Sequence, residues 1–206
     1  MLLVMFAWIG FVLYPDPRPF AVSLERLAHP PVDPAAVRDI AASLPDDAAA
    51  VEAFSQSYVR YRYAWDLYDA PWYFPTVAEV VKDRAGDCQA EAILTASILT
   101  AKRLPYTLRY SFDHVWVDYP GKRITDLEDP ATAFASNEGK GWLARLPDRL
   151  PLRSVVQERI EFHWDPMPLD RKVALLAGIL LALVWGERLV PPLRRPSPAR
   201  LPETVR

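Results

Sequence analysis

The sequence has one cysteine and three histidines among its 206 residues, and this scarcity excludes several classes of protein. A single cysteine cannot form an internal disulfide framework or a multi-cysteine metal site. The histidines are scattered and form no close ligand pair, so we expect neither a bound metal nor a cofactor. The formal net charge is −2, and the lack of a basic excess argues against a nucleic-acid-binding protein.

Long hydrophobic runs are also missing, although two shorter ones lie near the ends of the chain. Residues 1–14 read MLLVMFAWIGFVLY and residues 173–186 read VALLAGILLALVWG. Both are shorter than the ~20 residues of a usual membrane span. Because both lie outside the central region and the second is apolar on every face, the pattern favours two transmembrane helices over two buried core helices.

Charge and flanking sequence then predict a topology. No cleavage site follows residues 1–14, which indicates an uncleaved N-terminal membrane anchor. Residues 187–206 form a basic tail with the composition of a disordered segment. The positive-inside rule places this tail in the cytoplasm. We therefore expect a protein of the cell membrane with both termini cytoplasmic and residues 15–171 outside the cytoplasm.

The central region predicts an α+β domain. Residues 15–45 read as a proline-rich linker with a short helix, and residues 46–165 as the domain itself. Periodicity predicts a helix over 46–67, a short helix opened by a capping box at Thr76-x-x-Glu79, and a buried helix from Cys88 to about Lys102. Alternating residues predict an antiparallel sheet against the cysteine helix. Its strands are expected at 106–112, 114–119, 123–127 and 155–164.

The one cysteine lies where a reactive thiol is expected. Residues 86–88, Gly-Asp-Cys, turn into an apolar helix, and the N–H groups and dipole of a helix N-terminus lower the pKa of a thiol. His114 begins a strand downstream, where an imidazole could lower that pKa further. We therefore predict Cys88 as nucleophile and His114 as its base, with the backbone N–H groups of Cys88 and Gln89 binding an oxyanion. The alternative interpretation of a lone cysteine is a small, inert, buried side chain.

A third residue must orient the imidazole, and hairpin geometry favours Asp126. With a tight turn at residues 120–121, a residue five or six positions beyond the turn lies opposite His114 on the next strand. Asp129, directly after that strand, is the second candidate. The sequence leaves the choice between the two aspartates open.

Two other features have less specific interpretations. The aromatic cluster at residues 72–74, Trp-Tyr-Phe, could line a substrate cleft, but such clusters beside proline more often pack in a core. His163 falls in the last predicted strand or beside the membrane, and His29 falls in the linker. Neither histidine is expected to take part in catalysis.

The residues around Cys88 and His114 resemble the transglutaminase-like superfamily of papain-type thiol enzymes. The matching stretch begins at residues 78–88, AEVVKDRAGDC, and continues through a helix that ends before Pro105. Residues 114–118, HVWVD, are similar to the family's His-Ala-Trp-Val-Glu strand, and Asp126 or Asp129 takes the place of the family's aspartate. The family's aromatic residue before that aspartate is missing, since residues 123–125 read RIT. The resemblance covers about residues 72–132.

This resemblance implies a papain-like core and acyl transfer from an amide through a cysteine thioester. We therefore expect a membrane-anchored enzyme that cleaves or transfers peptide or isopeptide amide bonds, and hydrolysis, as in a cysteine peptidase or amidase, is the simplest reaction. The expected partners are a peptide or protein substrate and the membrane. The competing hypothesis is a non-catalytic domain that binds peptides or assembles a membrane complex. A third has both apolar ends packed as helices against the domain.

Overall fold

A computed structural model describes residues 2–112, 114–137, 143–144 and 152–189. Helices precede a small antiparallel sheet, which confirms the predicted α+β class. The α-helices are α1 (Leu2–Leu13), α2 (Arg18–Ala28), α3 (Arg38–Ser43), α4 (Ala48–Tyr58), α5 (Ala64–Tyr68), α6 (Val77–Asp83), α7 (Cys88–Lys102), α8 (Leu152–Arg159) and α9 (Leu169–Leu189). The strands are β1 (Arg60–Tyr61), β2 (Ala85–Gly86), β3 (Thr107–Tyr110), β4 (Val115–Asp118), β5 (Ala135–Ser136) and β6 (Leu143–Ala144).

Helix α7 occupies the centre of the core and confirms the predicted buried cysteine helix. It begins where Asp87 accepts a hydrogen bond from the Gln89 backbone N–H at 3.0 Å, and it ends at Arg103, which adopts a left-handed φ of 59°. Most of its residues are buried, as an apolar pattern on every face requires. The side chains buried around it include Val51, Phe74, Val77, Val80, Leu108, Tyr110 and Val117.

The capping box that opens α6 is also confirmed. Thr76 accepts a hydrogen bond from the Glu79 backbone N–H, while the Glu79 carboxylate accepts one from the Thr76 backbone N–H at 2.6 Å. The predicted helix over 46–67, in contrast, is divided. Helix α4 stops at Tyr58, and β1 intervenes before the short helix α5.

Gly86 brings the cysteine helix close to β1. Strands β1 and β2 pair in parallel, with Tyr61 opposite Gly86. A Cβ atom at Gly86 would lie 2.2 Å from the Cβ of Ala90, a separation that only glycine avoids. Cys88 follows two residues beyond Gly86 and lines the same cavity as Tyr61.

The four-stranded sheet has the order β4-β3-β5-β6 with antiparallel pairing throughout. Strands β3 and β4 confirm the predicted strands over 106–112 and 114–119, and they pair with each other so that Arg109 lies opposite Trp116. The predicted return strand over 123–127 is wrong, because residues 123–125 are irregular and a bend and a turn follow at residues 126 and 127. Among the described strands, β4 lies at the edge of the sheet and pairs with β3, and therefore Asp126 does not lie opposite His114 on a neighbouring strand.

The predicted strand over 155–164 is wrong as well. This segment forms the end of α8 followed by a π-helical segment, Ile160–Trp164. Distant residues hold the segment in place: the Trp65 Nε1–H donates to the His163 carbonyl at 2.8 Å, and the Arg159 guanidinium donates to the Phe112 carbonyl. His163 thus belongs to a helix that packs on the domain. The region over 15–45, predicted as a linker with one short helix, contains two helices, since α2 precedes the short helix α3.

The prediction of two transmembrane helices is wrong. In the described part of the chain, no helix combines the length and the apolar character needed to cross a membrane. Helix α1 has 12 residues, which span about 18 Å, whereas the hydrocarbon core of a bilayer is about 30 Å thick. Helix α9 has 21 residues, but charged residues occupy both of its ends. The membrane anchor, the topology and the membrane location that rested on these spans are therefore not supported.

Helices α1 and α9 pack against each other. The Trp8 indole fills the space beside Gly178, and its Nε1–H donates to the Ala174 carbonyl at 3.1 Å. Arg171 joins the pair to the domain by donating to the Val12 carbonyl at 2.6 Å and to the Asp69 carboxylate at 2.8 Å. The predicted disordered tail lies outside the described residues from 190 onward.

Candidate functional site

A cavity of about 590 Å³ opens at the N-terminus of α7, and both Cys88 and His114 line it. A second cavity of about 30 Å³ adjoins both residues on their other side, where Glu91 and Glu128 complete its wall. The fold therefore brings the predicted nucleophile and the predicted base to one place. The cysteine comes from a helix and the histidine from the start of a strand, as the sequence predicts.

Strand β4 carries His114 to the cysteine and orients its ring. The Ser111 backbone N–H donates to the His114 carbonyl, and the His114 backbone N–H donates to Ser111 Oγ, both at 2.9 Å. The imidazole stacks on Trp116 with a centroid separation of 6.0 Å and an interplanar angle of 13°. The next residue, Val115, places its backbone N–H against the Cys88 thiol. The histidine is thus held at the end of β4 that touches the nucleophile.

The carboxylate beside His114 is that of Glu128. Its Oε1 lies 3.6 Å from His114 Nε2, and both side chains are largely buried. Its Oε2 lies 3.0 Å from Lys122 Nζ, which also contacts Glu52 Oε1 at 2.5 Å. Burial alone would raise the pKa of Glu128, but the hydrogen bonds and positive charge of His114 and Lys122 lower it overall. Glu128 is therefore ionised at neutral pH and able to orient an imidazolium.

The two aspartates proposed from the sequence lie elsewhere. Asp126 is exposed, within the turns that replace the predicted strand. Asp129 accepts a hydrogen bond from the Ala131 backbone N–H at 2.9 Å and caps the 3₁₀ turn Pro130–Thr132. Of the three acidic residues, Glu128 is the one paired with His114. A glutamate two residues past Asp126 carries no sequence signal that separates it from its neighbours.

The environment of Cys88 disfavours the thiolate, which is opposite to the expectation from its place at a helix N-terminus. Burial raises the pKa of the Cys88 thiol, and the carboxylates of Asp87 and Glu91 raise it further. The N–H groups of Val115 and Gln89 act in the other direction but are too weak to reverse the shift. The resting residue, which is half-buried, is therefore a protonated thiol at neutral pH.

Acidic residues dominate the immediate surroundings of the thiol. Burial raises the pKa of Asp87 from 3.8 to about 6, although hydrogen bonds from Gln89 and Ala90 oppose the shift. Burial and the neighbouring carboxylates raise the pKa of Glu91 to about 7. Because these carboxylates face the cysteine, an anionic group of a ligand is disfavoured beside it.

The predicted oxyanion donors remain a prediction, but the structure adds a constraint. The Gln89 backbone N–H already donates to Asp87 Oδ1, so an oxyanion at this position would compete with the helix cap. The Gln89 side chain is held as well, since its amide donates to Asp87 at 3.3 Å and accepts from Trp72 Nε1 at 2.9 Å. Trp72 therefore lines the cavity, whereas Phe74 lies in the core.

The sequence did not predict that Glu128 lies beside His114, nor that His163 lines the larger cavity. His163 and Phe162 line the larger cavity from the π-helical segment. Burial and the nearby Arg159 charge lower the pKa of His163 to about 4, so its ring is neutral. As for a metal ion, no group of three ligating side chains forms in the part of the chain that the structure describes.

Comparisons with known proteins assign no family. No protein-family model matches the chain, and a search of curated proteins finds no match. The resemblance of residues 72–132 to transglutaminase-like enzymes therefore stays a proposal that rests on its motifs and on the geometry of the site.

A charge-removing substitution tests the electrostatic account of the thiol. Asp87→Asn keeps the side-chain oxygen that caps α7 but removes the negative charge beside Cys88. We expect the thiol pKa to fall and alkylation by iodoacetamide at pH 7.5 to accelerate by about three- to tenfold, since one pKa unit changes the thiolate fraction tenfold. The pH profile of the alkylation rate should move to lower pH. The matched control Asp39→Asn removes an exposed carboxylate of α3 and should leave the profile unchanged.

The melting temperature of Asp87→Asn tests the same electrostatic effect independently of the alkylation rate. The folded state raises the pKa of Asp87, so the destabilisation caused by its charge is absent below about pH 3.8 and complete above about pH 6. Asp87→Asn should therefore raise the melting temperature at pH 7.5 and leave it unchanged at pH 3.5. An equal gain at both pH values would contradict this electrostatic origin.

Proposed function

We propose that this protein is a transglutaminase-like thiol enzyme that cleaves or transfers amide bonds of a peptide or protein through a thioester on Cys88. One observation carries the proposal: a cysteine at a helix N-terminus and a histidine paired with a buried carboxylate line the same cavity. Nucleophile, base and orienting carboxylate are the three roles that thiol catalysis requires.

The raised pKa of the thiol indicates how the residues would share the first step. Because Cys88 rests as a neutral thiol, the S–H proton must leave as sulfur attacks the carbonyl carbon. Glu128 engages Nε2 of His114, so Nδ1 is the ring nitrogen that would accept this proton. The imidazolium formed in this way is stabilised by the Glu128 carboxylate.

The remaining steps return every group to its starting state. The tetrahedral intermediate collapses as the C–N bond breaks, and the imidazolium gives its proton to the leaving amine. Water then attacks the thioester while His114 takes one of its protons, and the departing sulfur recovers that proton. Hydrolysis needs no further binding site, whereas transfer needs a bound amine in place of water, so hydrolysis is the reaction we propose.

A non-catalytic peptide-binding domain is the second candidate function. The observation that favours it is the acidic, buried environment of Cys88, which reduces the reactivity of a thiol. The two candidates differ in whether a covalent bond forms at the cysteine, and this difference can be measured directly.

The test is the formation of a thioester by the full-length protein. Incubation with 4-nitrophenyl acetate, followed by intact-mass analysis, should show one added acetyl group that is located on Cys88 and removed by hydroxylamine. Cys88→Ala should add none, and His114→Ala should acylate at least 100-fold more slowly, as the loss of a general base predicts. Absence of the thioester, or equal rates in wild type and His114→Ala, would reject the enzyme and favour the binding domain.

A further inference from the structure

The larger cavity extends well beyond the reactive residues, and aromatic side chains form a large part of its wall. A volume of about 590 Å³ lies within the range of pockets that enclose a whole small ligand, and a single amide bond needs far less space. The rings that line it come from separate parts of the chain and include Tyr14, Phe20, Tyr61, Trp72, Phe112 and Phe162.

Most of this wall lies outside the stretch that resembles thiol enzymes. Tyr14 follows α1 and Phe20 belongs to α2, and the centres of their rings are 5.1 Å apart. The ring centre of Phe20 also lies 6.1 Å from that of Trp72. Phe162 belongs to the π-helical segment, and the centre of its ring lies 6.1 Å from that of Tyr61. The terminal segments of the chain thus build an aromatic surface that faces the cysteine.

Several of these apolar side chains remain open to solvent. Phe20 is 41% exposed, Phe112 is 42% exposed and Leu127 is 44% exposed, although all three line a concave surface. Apolar groups that stay exposed in a cavity favour the binding of an apolar ligand, which removes their surface from water.

Charge defines what can lie next to the thiol. The carboxylates of Asp87 and Glu91 border the cavity beside Cys88, so an anionic group is repelled there. Arg159 also lines the cavity, and its guanidinium, which donates to the Phe112 carbonyl and lies against His163, disfavours a cationic group on its side. A neutral, bulky group fits both the charge and the aromatic lining.

We infer that the cavity binds a bulky, uncharged apolar group in the acyl part of the substrate, on the carbonyl side of the bond that Cys88 attacks. The inference rests on the proposed function, because it takes the cysteine as the point of attack. An aromatic peptide side chain and a fatty acyl chain share this chemistry.

Alkylation rates of Cys88 test the inference without a known substrate. Iodoacetamide is compared with N-benzyl- and N-hexyl-iodoacetamide on the full-length protein, and each rate is divided by the rate of the same reagent with glutathione. We expect a corrected acceleration of at least tenfold for one or both substituted reagents. The benzyl reagent reports an aromatic side chain and the hexyl reagent a fatty chain. Corrected ratios near one for both would overturn the inference.

Matched variants locate the effect in the cavity. Phe20→Ala removes part of the aromatic wall and should lower the corrected ratio at least threefold. Phe6→Ala removes a ring of α1 that is 63% exposed and does not line the cavity, and it should leave the ratio unchanged. Equal effects of the two substitutions would contradict a specific pocket.

A binding measurement distinguishes failure of the proposed pocket from failure of the proposed enzyme activity. The Cys88→Ala variant is titrated calorimetrically with N-acetyl-phenylalaninamide and with N-acetyl-glycinamide, and only the former should bind. A missing thioester together with selective binding would reject the enzyme but retain the pocket. A thioester without apolar selectivity would retain the enzyme and reject the pocket.

Discussion

Glu128→Gln is expected to slow the acylation of Cys88 by about 10²- to 10⁴-fold, a loss of the size found when the orienting carboxylate of a catalytic triad becomes an amide. The Glu128 carboxylate, 3.6 Å from His114 Nε2, can only accept a hydrogen bond from that nitrogen, whereas the amide of a glutamine can donate one to it. A hydrogen bond donated to Nε2 would favour the tautomer protonated at Nδ1, which cannot accept the thiol proton. The measurement is the pre-steady-state rate of 4-nitrophenol release at pH 7.5.

Two variants decide which acidic residue orients the histidine. Asp126→Asn changes an exposed carboxyl group and should stay within twofold of the wild-type rate. Glu128→Asp keeps the negative charge and should recover part of the rate lost in Glu128→Gln, a rescue that purely structural damage would not show. Loss of activity in Asp126→Asn together with normal activity in Glu128→Gln would restore Asp126 as the third residue.

Lys122→Met is expected to lower the free energy of unfolding by about 3–5 kcal/mol, the cost of leaving buried charges without their partner. The Lys122 side chain is 8% exposed, and its ammonium group lies between the carboxylates of Glu52 and Glu128. It also donates to the Val117 carbonyl at 2.8 Å and lies 5.6 Å from the centre of the Tyr119 ring. Without it, two carboxylates remain side by side in the interior. Urea denaturation at pH 7.5 measures the loss.

Lys102→Met provides the matched control. This lysine is also 8% exposed and pairs with Asp46 at 2.7 Å, but that carboxylate is 81% exposed and remains hydrated when the lysine is removed. We expect a loss of about 1 kcal/mol, as for exposed pairs. Equal losses at the two positions would contradict the role of unpaired buried carboxylates. The double variant Lys122→Met/Glu52→Gln should recover part of the stability, because one of the two charges is then absent.

The pH dependence of Lys122→Met follows from the shifted carboxylate. Folding lowers the pKa of Glu128, so its contribution to stability is present above its unfolded pKa and disappears as pH falls through the lower folded value. The difference in unfolding free energy between wild type and Lys122→Met should therefore shrink at acidic pH, where protonation removes the repulsion in the variant.

Local sequence signals predicted those elements whose cause is local. The Thr76–Glu79 capping box before α6, the Gly-Asp-Cys turn before α7 and Pro105 after it all act within about one turn of these helices, so the predicted bounds of α6 and α7 are confirmed. The strands β3 and β4 follow from their alternating residues, whereas the hairpin predicted around residues 120–121 does not form. The meeting of Cys88 and His114 was predictable for the same reason, because each lies at a well-marked end of an element.

Elements whose state depends on distant partners were not predictable in this way. Residues 155–164 alternate like a strand, but contacts with Trp65 and Phe112 hold them in helical conformations. Residues 1–14 and 173–186 have the composition of membrane segments, yet Trp8 fits against Gly178 and the two helices pair. In each case the partner lies more than 40 residues away, where periodicity carries no information.

Caps, apolar runs and turns act within a few residues, and they were enough to predict the α+β class, the cysteine helix and the strand that follows His114. The pairing of Glu128 with His114, in contrast, arises only when the chain folds. The position of Glu128 depends on Lys122, which bridges it to Glu52 on α4, a partner 70 residues from that lysine in the chain. The raised pKa of Cys88 has the same origin, because burial and the surrounding carboxylates arise only when separate elements close around the thiol.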